Sequence, residues 1–197
     1  MNDHYYTRSP ESESRPATCE YVYRGVHLIF QTDAGVFSRG EVDTGTDLLL
    51  KALPEEMNGD ILDLGCGWGV IGISMARKWP DTRVTMADVN LRALDLSREN
   101  ARRNGVAVTC LESDGMTALR GRTFDAVITN PPIRAGKQVI YRMFAEAEEA
   151  LKPGGVLFLV IRKQQGAESC IRYLQTLFAQ VEKISKSGGF WVLKATK

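Results

Sequence analysis

Residues 127–137 read VITNPPIRAGK. The β-branched run Val127, Ile128 and Thr129 predicts a buried strand, and it stops at Asn130 followed by Pro131 and Pro132. Proline fixes φ near −65° and has no N–H donor, so two in succession stiffen the loop and leave its carbonyls uncontested. The residue before a proline is also pushed out of the helical region, which keeps Asn130 and Pro131 extended. Such a strand end presents the Asn130 side-chain carbonyl and the Pro131 main-chain carbonyl as hydrogen-bond acceptors. A stiff strand-ending turn is the plainer alternative. Arg134 and Lys137 follow, placed either to meet phosphates or to lie as exposed loop charges.

Two other strand ends carry polar chemistry. DLGCGWGV, residues 63–70, joins a strand to a helix, with Gly65 and Gly67 allowing a tight turn and close backbone approach to a ligand. A dinucleotide fingerprint GxGxxG/A places Val70 at its last position, and the third glycine, Gly69, comes one residue early. That speaks against a pyrophosphate. About twenty residues on, the next strand ends at Asp88, where a carboxylate accepts from both hydroxyls of a ribose. A third strand runs into Ser113-Asp114-Gly115, where a carboxylate such as that of Asp114 can accept from an adenine amino group. Each aspartate alone is also an ordinary cap or turn former. Together the three strand ends describe an adenosine pocket without a pyrophosphate.

The elements that position these residues follow from periodicity and punctuation. CEYVYRGVHLIFQTD predicts a hairpin about Arg24-Gly25. In TGTDLLLKAL, Thr44 stands three residues before Asp47, a capping-box-like helix start, and Pro54 closes the helix. From Asp60 onward strands and helices alternate, the helix QVIYRMFAEAEEAL stopping at Lys152-Pro153-Gly154-Gly155 before the strand VLFLVIRK. VEKISKS and FWVLKA around Gly188-Gly189 close the chain as an antiparallel hairpin. This is an α/β pattern: a mostly parallel, doubly wound sheet with an antiparallel end. Residues 1–18, polar and proline-containing, are expected to form a flexible arm, and 19–197 a single domain.

Bulk properties exclude several classes. The chain has 197 residues, 44% hydrophobic and 25% charged, ordinary for a globular domain. No apolar run approaches the roughly 20 residues of a spanning helix, and the polar N-terminus lacks a signal peptide's apolar core. Four scattered cysteines without CxxC or a Cys/His cluster argue against a disulfide framework and against a metal site, and for a cytoplasmic location. Net charge is +1, but residues 1–100 hold 10 Lys/Arg against 16 Asp/Glu and residues 101–197 hold 15 against 8, net −6 and +7. The second half is the side expected to meet a polyanion such as RNA.

With these residues in view, the sequence resembles the class I S-adenosylmethionine-dependent methyltransferases over roughly residues 30–197. DLGCGWG is similar to their glycine motif, ADVN to their ribose-binding acidic motif, SDGM to their adenine-contacting motif, and NPPI to the motif of enzymes acting on exocyclic or amide nitrogens. The upstream GVFSRGEVDTGTDLLL, together with NPPIRAGK, resembles the small-subunit ribosomal RNA guanine-N2 methyltransferases and their single-domain relatives. The resemblance implies a seven-stranded Rossmann-like sheet and S-adenosyl-L-methionine as cofactor. It implies that Asp63, Gly65, Cys66 and Gly67 wrap the methionine portion, Asp88 holds the ribose, and Asp114 and Gly115 hold the adenine. It further brings Phe37, Ser38 and Gly45 near the cofactor, and gives Asn130 the gateway to the methyl group.

The chain departs from that pattern in two places. Many NPP enzymes have an aromatic residue fourth in the motif, stacked on the target base, where this chain has Ile133. The RNA guanine enzymes often carry an additional N-terminal domain, for which 197 residues leave no room. A protein glutamine, DNA adenine or a small molecule are therefore the alternative acceptors, and an NAD(P) oxidoreductase or a non-catalytic RNA-binding factor the alternative classes.

Overall fold

A computed structural model describes residues 7–10 and 12–197. After an antiparallel hairpin, β1 (Ala17–Tyr23) and β2 (Val26–Thr32), comes α1 (Thr44–Ala52). The alternating region then runs β3 (Asp60–Leu64), α2 (Val70–Lys78), β4 (Arg83–Asp88), α3 (Leu91–Arg103), β5 (Thr109–Glu112), β6 (Phe124–Thr129), α4 (Lys137–Ala150), β7 (Leu151–Arg162), α5 (Ala167–Leu174), β8 (Gln180–Ser187) and β9 (Phe190–Thr196). The seven strands of the main sheet lie in the order β5-β4-β3-β6-β7-β9-β8. Strands β3 to β7 are parallel, and β9 is antiparallel to both neighbours. Strand order therefore reverses between β3 and β6, which fixes where a ligand crevice opens.

Alternation along the central strands produces two cores. Ile61, Ala126, Ile128, Phe158 and Val160 face α1, α2, α3 and the hairpin. Leu62, Leu64, Val127, Leu157 and Leu159 face α4 and α5. The sheet is thus apolar on both faces, as a sheet covered on both sides by helices must be.

The hairpin turns at Arg24 and Gly25, both at positive φ (46° and 81°), the backbone twist a two-residue turn needs. Arg24 offsets its strained position by donating to the Leu53 and Pro54 carbonyls at the end of α1. The free edge of β2 is covered by two asparagines of α3. Asn100 and Asn104 each accept from and donate to one strand residue, Gln31 and Ile29 respectively. Four residues apart on a helix, they match residues two apart on a strand and act as a substitute for a third strand.

Three sequence expectations need correction or qualification. The cap of α1 is Asp43, not Thr44: its carboxylate accepts from Gly45 N and Thr46 N, while Asp47 instead meets Tyr21 and Lys51. Lys152-Pro153-Gly154-Gly155 does not separate α4 from a later strand, because β7 already begins at Leu151 and passes through it with a register shift opposite Phe124 and Ala126. The arm expected over 1–18 lies, at residues 1–6 and 11, outside the described residues. Of the others, Arg8 O accepts from Leu91 N, Ser14 and Arg15 bond to Asp33, and β1 begins at Ala17.

Candidate active site

The carboxyl ends of β3, β4 and β6 open into one cleft of about 880 Å³, within the range of small-molecule sites. Phe37, Ser38, Gly65, Cys66, Gly67, Asp88, Asp114, Gly115, Asn130, Pro131, Pro132, Ile133 and Arg134 all line it. Gly45, Asp63 and Lys137 do not. Gly45 lies behind the wall, where a Cβ would fall 2.8 Å from a Phe190 ring carbon. Asp63 is fully buried beneath the glycine loop. Lys137 starts α4 with its ammonium over the Tyr141 ring.

The loop after β3 is held by its own backbone. Gly65 N and Cys66 N both donate to Ala87 O, and Gly67 N donates to Asp88 Oδ2 at 2.7 Å. Gly67 has φ 54° and Gly69 φ 94°, a region that side chains rarely adopt. The glycine that permits close packing of α2 on the sheet is Gly72, where a Cβ would lie 2.5 Å from Met86 Sδ. Trp68, which the sequence reading passed over, donates from its indole N–H to Phe37 O at 2.7 Å. It thereby locks the loop to the segment that follows the hairpin.

Asp63 and Asp88 meet backbone donors and no cation. Asp88 Oδ1 accepts from Asn90 N at 2.9 Å and Oδ2 from Gly67 N, and burial raises its pKa. Each oxygen keeps acceptor capacity toward the cleft. Asp63 accepts from Gly72 N at 2.8 Å with Oδ2, while Oδ1 is buried without a partner. Burial, with the nearby Asp88 charge adding to it, pushes its carboxyl up to about 7. Burial also raises the Cys66 thiol well above its ordinary range, so it stays a protonated, packed wall residue. At the rim, Asp114 pairs with Arg142 of α4, and the Met116 amide donates to Glu146.

Asn130 is held by the first turn of α1 and its cap. Its side-chain NH2 donates to Thr46 Oγ1 at 2.9 Å and to Asp43 Oδ2 at 3.3 Å. A carboxylate accepts only, so Asp43 decides which way the amide faces, and the Asn130 carbonyl oxygen is turned away from α1. Among the described residues neither that oxygen nor the Pro131 carbonyl receives a hydrogen bond, whereas the Pro132 carbonyl is engaged by Ala135 N at 2.8 Å. Asp43 and Thr46 thus belong to the site. The helix cap at Asp43 was a readable local signal, but its contact with Asn130 spans 87 residues and has none.

Comparison with known proteins gives this geometry its context. A model of the methyltransferase small domain matches residues 27–194. The chain belongs to that family. It is 43% identical, over the full length of both chains, to the uncharacterized protein YbxB of Bacillus subtilis. It is 40% identical over 66% of its length to the ribosomal RNA small subunit methyltransferase C of Hahella chejuensis, covering 39% of that protein. It is 35% identical over 93% of its length to the ribosomal RNA large subunit methyltransferase G of Pseudomonas putida, covering 50% of it. The T. thermophilus 16S rRNA N2 methyltransferase, solved with AdoMet and guanosine, superposes with TM-score 0.85 at 30% identity, over 95% of this chain and 52% of that one. The chain therefore spans 39–52% of the length of these ribosomal RNA enzymes.

The domain is that of an S-adenosylmethionine-dependent methyltransferase with the Rossmann-like sheet described above. The residues present fit that cofactor: Asp88 has spare acceptor capacity on both oxygens, and the glycine loop leaves room for close approach. Among the described residues no cluster of His, Cys, Asp and Glu is placed to hold a metal ion, and no helix is long and apolar enough to cross a membrane.

Proposed function

We propose that this enzyme transfers a methyl group to an exocyclic amine of RNA, the N2 of a guanine in small-subunit ribosomal RNA. The observation that carries this reading is the pair of unengaged acceptors, Asn130 Oδ1 and Pro131 O, at the switch point of the sheet. The matched enzymes named for ribosomal RNA support RNA as the substrate class, as does the basic second half of the chain. In this reading Asp88 holds the cofactor's ribose and Asp114 with Gly115 borders its adenine. Asp63 supports the loop formed by Gly65, Cys66 and Gly67 around the methionine portion, with Phe37 and Ser38 on the facing side and Gly45 backing that wall against Phe190.

S-adenosylmethionine supplies a methyl group on a positively charged sulfonium, which leaves as a neutral thioether. The leaving group needs no proton, so the protein's task is alignment, with reacting atoms about 3–3.5 Å apart. An amine on an aromatic ring is a weak nucleophile because its lone pair is delocalised. The Asn130 and Pro131 oxygens grip its two N–H groups, turn the nitrogen toward the methyl carbon and stabilise the positive charge that develops there. Asp43 and Thr46 keep the Asn130 amide from flipping, which would put a donor where an acceptor is needed. Neither His27, exposed on the outer hairpin, nor the protonated Cys66 serves as a base, and the amine's proton passes to water after transfer. Arg134, on the cleft rim, and Lys137, just beyond it, meet RNA phosphates.

Incubation with labelled cofactor and, separately, small ribosomal subunits, free ribosomal RNA and a protein extract tests the reading. Label in RNA, recovered after digestion as N2-methylguanosine, is the expected result. Label confined to protein rejects RNA as the substrate class.

A further inference from the structure

Ile133, the fourth residue of the Asn-Pro-Pro motif, packs toward the second core and offers no π-face to a base. Another part of the cleft lining does. β7 ends at Arg162 and β9 begins at Phe190, and the antiparallel register sets these two residues side by side, so their side chains leave the sheet on the same face. The Arg162 guanidinium carbon lies over the Phe190 ring, 4.4 Å from its centroid, a cation–π contact. Phe190 is only 7% exposed, and its edge abuts Gly45 in the first turn of α1. That turn also carries Thr46 and follows Asp43, the two residues that hold Asn130. Phe190 therefore ties Arg162 to the wall that fixes the amine acceptors.

Arg162 is exposed and lines the cleft, and its side chain makes no ion pair or hydrogen bond with any described residue. Arg142 on the rim is different, being paired with Asp114. The Arg162 guanidinium sits over the Phe190 ring, and its charge is unclaimed by any described carboxylate. We propose that Arg162, backed by Phe190, is the platform on which the target purine stacks, doing from β7 what an aromatic residue does at the fourth motif position. A guanidinium suits this role because it is planar, delocalised and weakly hydrated, and it stacks on bases as it does on aromatic rings. This inference rests on the RNA reading above.

The test compares wild type with Arg162→Lys and Arg162→Ala. It measures kcat and KM on ribosomal RNA at several salt concentrations, and S-adenosylhomocysteine affinity by calorimetry. Lysine keeps the charge but not the plane. Both variants should lose on the order of 10-fold or more in kcat/KM, the scale of one base–side-chain stack, with cofactor-product affinity unchanged. Arg162→Lys should keep the wild-type salt dependence. An Arg162→Lys enzyme close to wild type in kcat/KM would overturn the platform in favour of a phosphate contact, with Arg162→Ala then flattening the salt slope. Parallel loss of cofactor-product binding would also overturn it. A wild-type protein that methylates no RNA removes the RNA reading and the platform with it, an outcome distinct from an active wild type matched by its lysine variant.

Discussion

The two ends of the central sheet use the same residue type in opposite ways. At the amino ends, Asp60 and Asp125 face cations: Asp60 pairs with Arg83 at 2.7 Å, and Lys152 bridges Asp60 at 3.1 Å and Asp125 at 2.8 Å. The Arg83 guanidinium, followed by the Lys152 ammonium, lowers the Asp60 carboxyl to about 2. At the carboxyl ends, Asp63 and Asp88 have backbone N–H donors only, and burial raises both. A carboxylate whose charge is met by a neighbouring cation closes a surface. One held by backbone alone and lining the cleft, as Asp88 is, keeps capacity for a ligand. Position along the strand, rather than residue type, separates the structural aspartates from the ligand-facing ones.

The largest effect expected on this contrast is at the acceptor pair. Asn130→Ala should lower methyl transfer by about 100-fold or more, the scale of a lost charge-stabilising group, with S-adenosylhomocysteine affinity within about threefold of wild type by calorimetry. Asp43→Ala should reduce the single-turnover rate less, about tenfold, because Thr46 still holds the amide. It also removes the α1 cap and should cost about 1 kcal/mol in denaturant unfolding.

The two ends should also differ in the sign of their pH dependence. Asp63 titrates near 7 in the folded protein against about 3.9 unfolded. The native state therefore retains a proton that the unfolded chain has released. Its contribution is fully present below about pH 4 and is lost as pH rises toward about 7. Wild type should lose Tm relative to Asp63→Asn across that window in the ligand-free protein. Asp60 has the opposite sign: its lowered pKa stabilises above about pH 4, and the contribution disappears as pH falls toward about 2. The smallest effect belongs to Lys152→Met, which should lower Tm slightly and leave kcat/KM unchanged.

Much of this division is visible in the sequence because its signals are local. Glycines at positive φ, an aspartate at a strand end and prolines that stop a strand each announce themselves within a few residues. The hairpin at Arg24-Gly25 and the antiparallel β9 are equally local. What the sequence hides is what the sheet order creates. Asp43 and Thr46 reach Asn130 only because the start of α1 lies beside the loop that leaves β6, and Arg162 meets Phe190 only because β9 is inserted between β7 and β8. The Lys152–Gly155 stretch reads as a break, yet the strand runs through it while Lys152 bridges Asp60 and Asp125. Gly45 is legible as important, but the reason is the Phe190 ring behind it rather than the cofactor side of the wall.

Calorimetric titration of S-adenosylhomocysteine into wild type, Asp88→Ala and Asp125→Asn tests the contrast between the two ends most directly. Asp88→Ala should weaken binding by roughly 10- to 100-fold, in line with hydrogen bonds to a charged group, while Asp125→Asn binds as wild type. Equal affinities in all three proteins, or equal losses in the two variants, would contradict it.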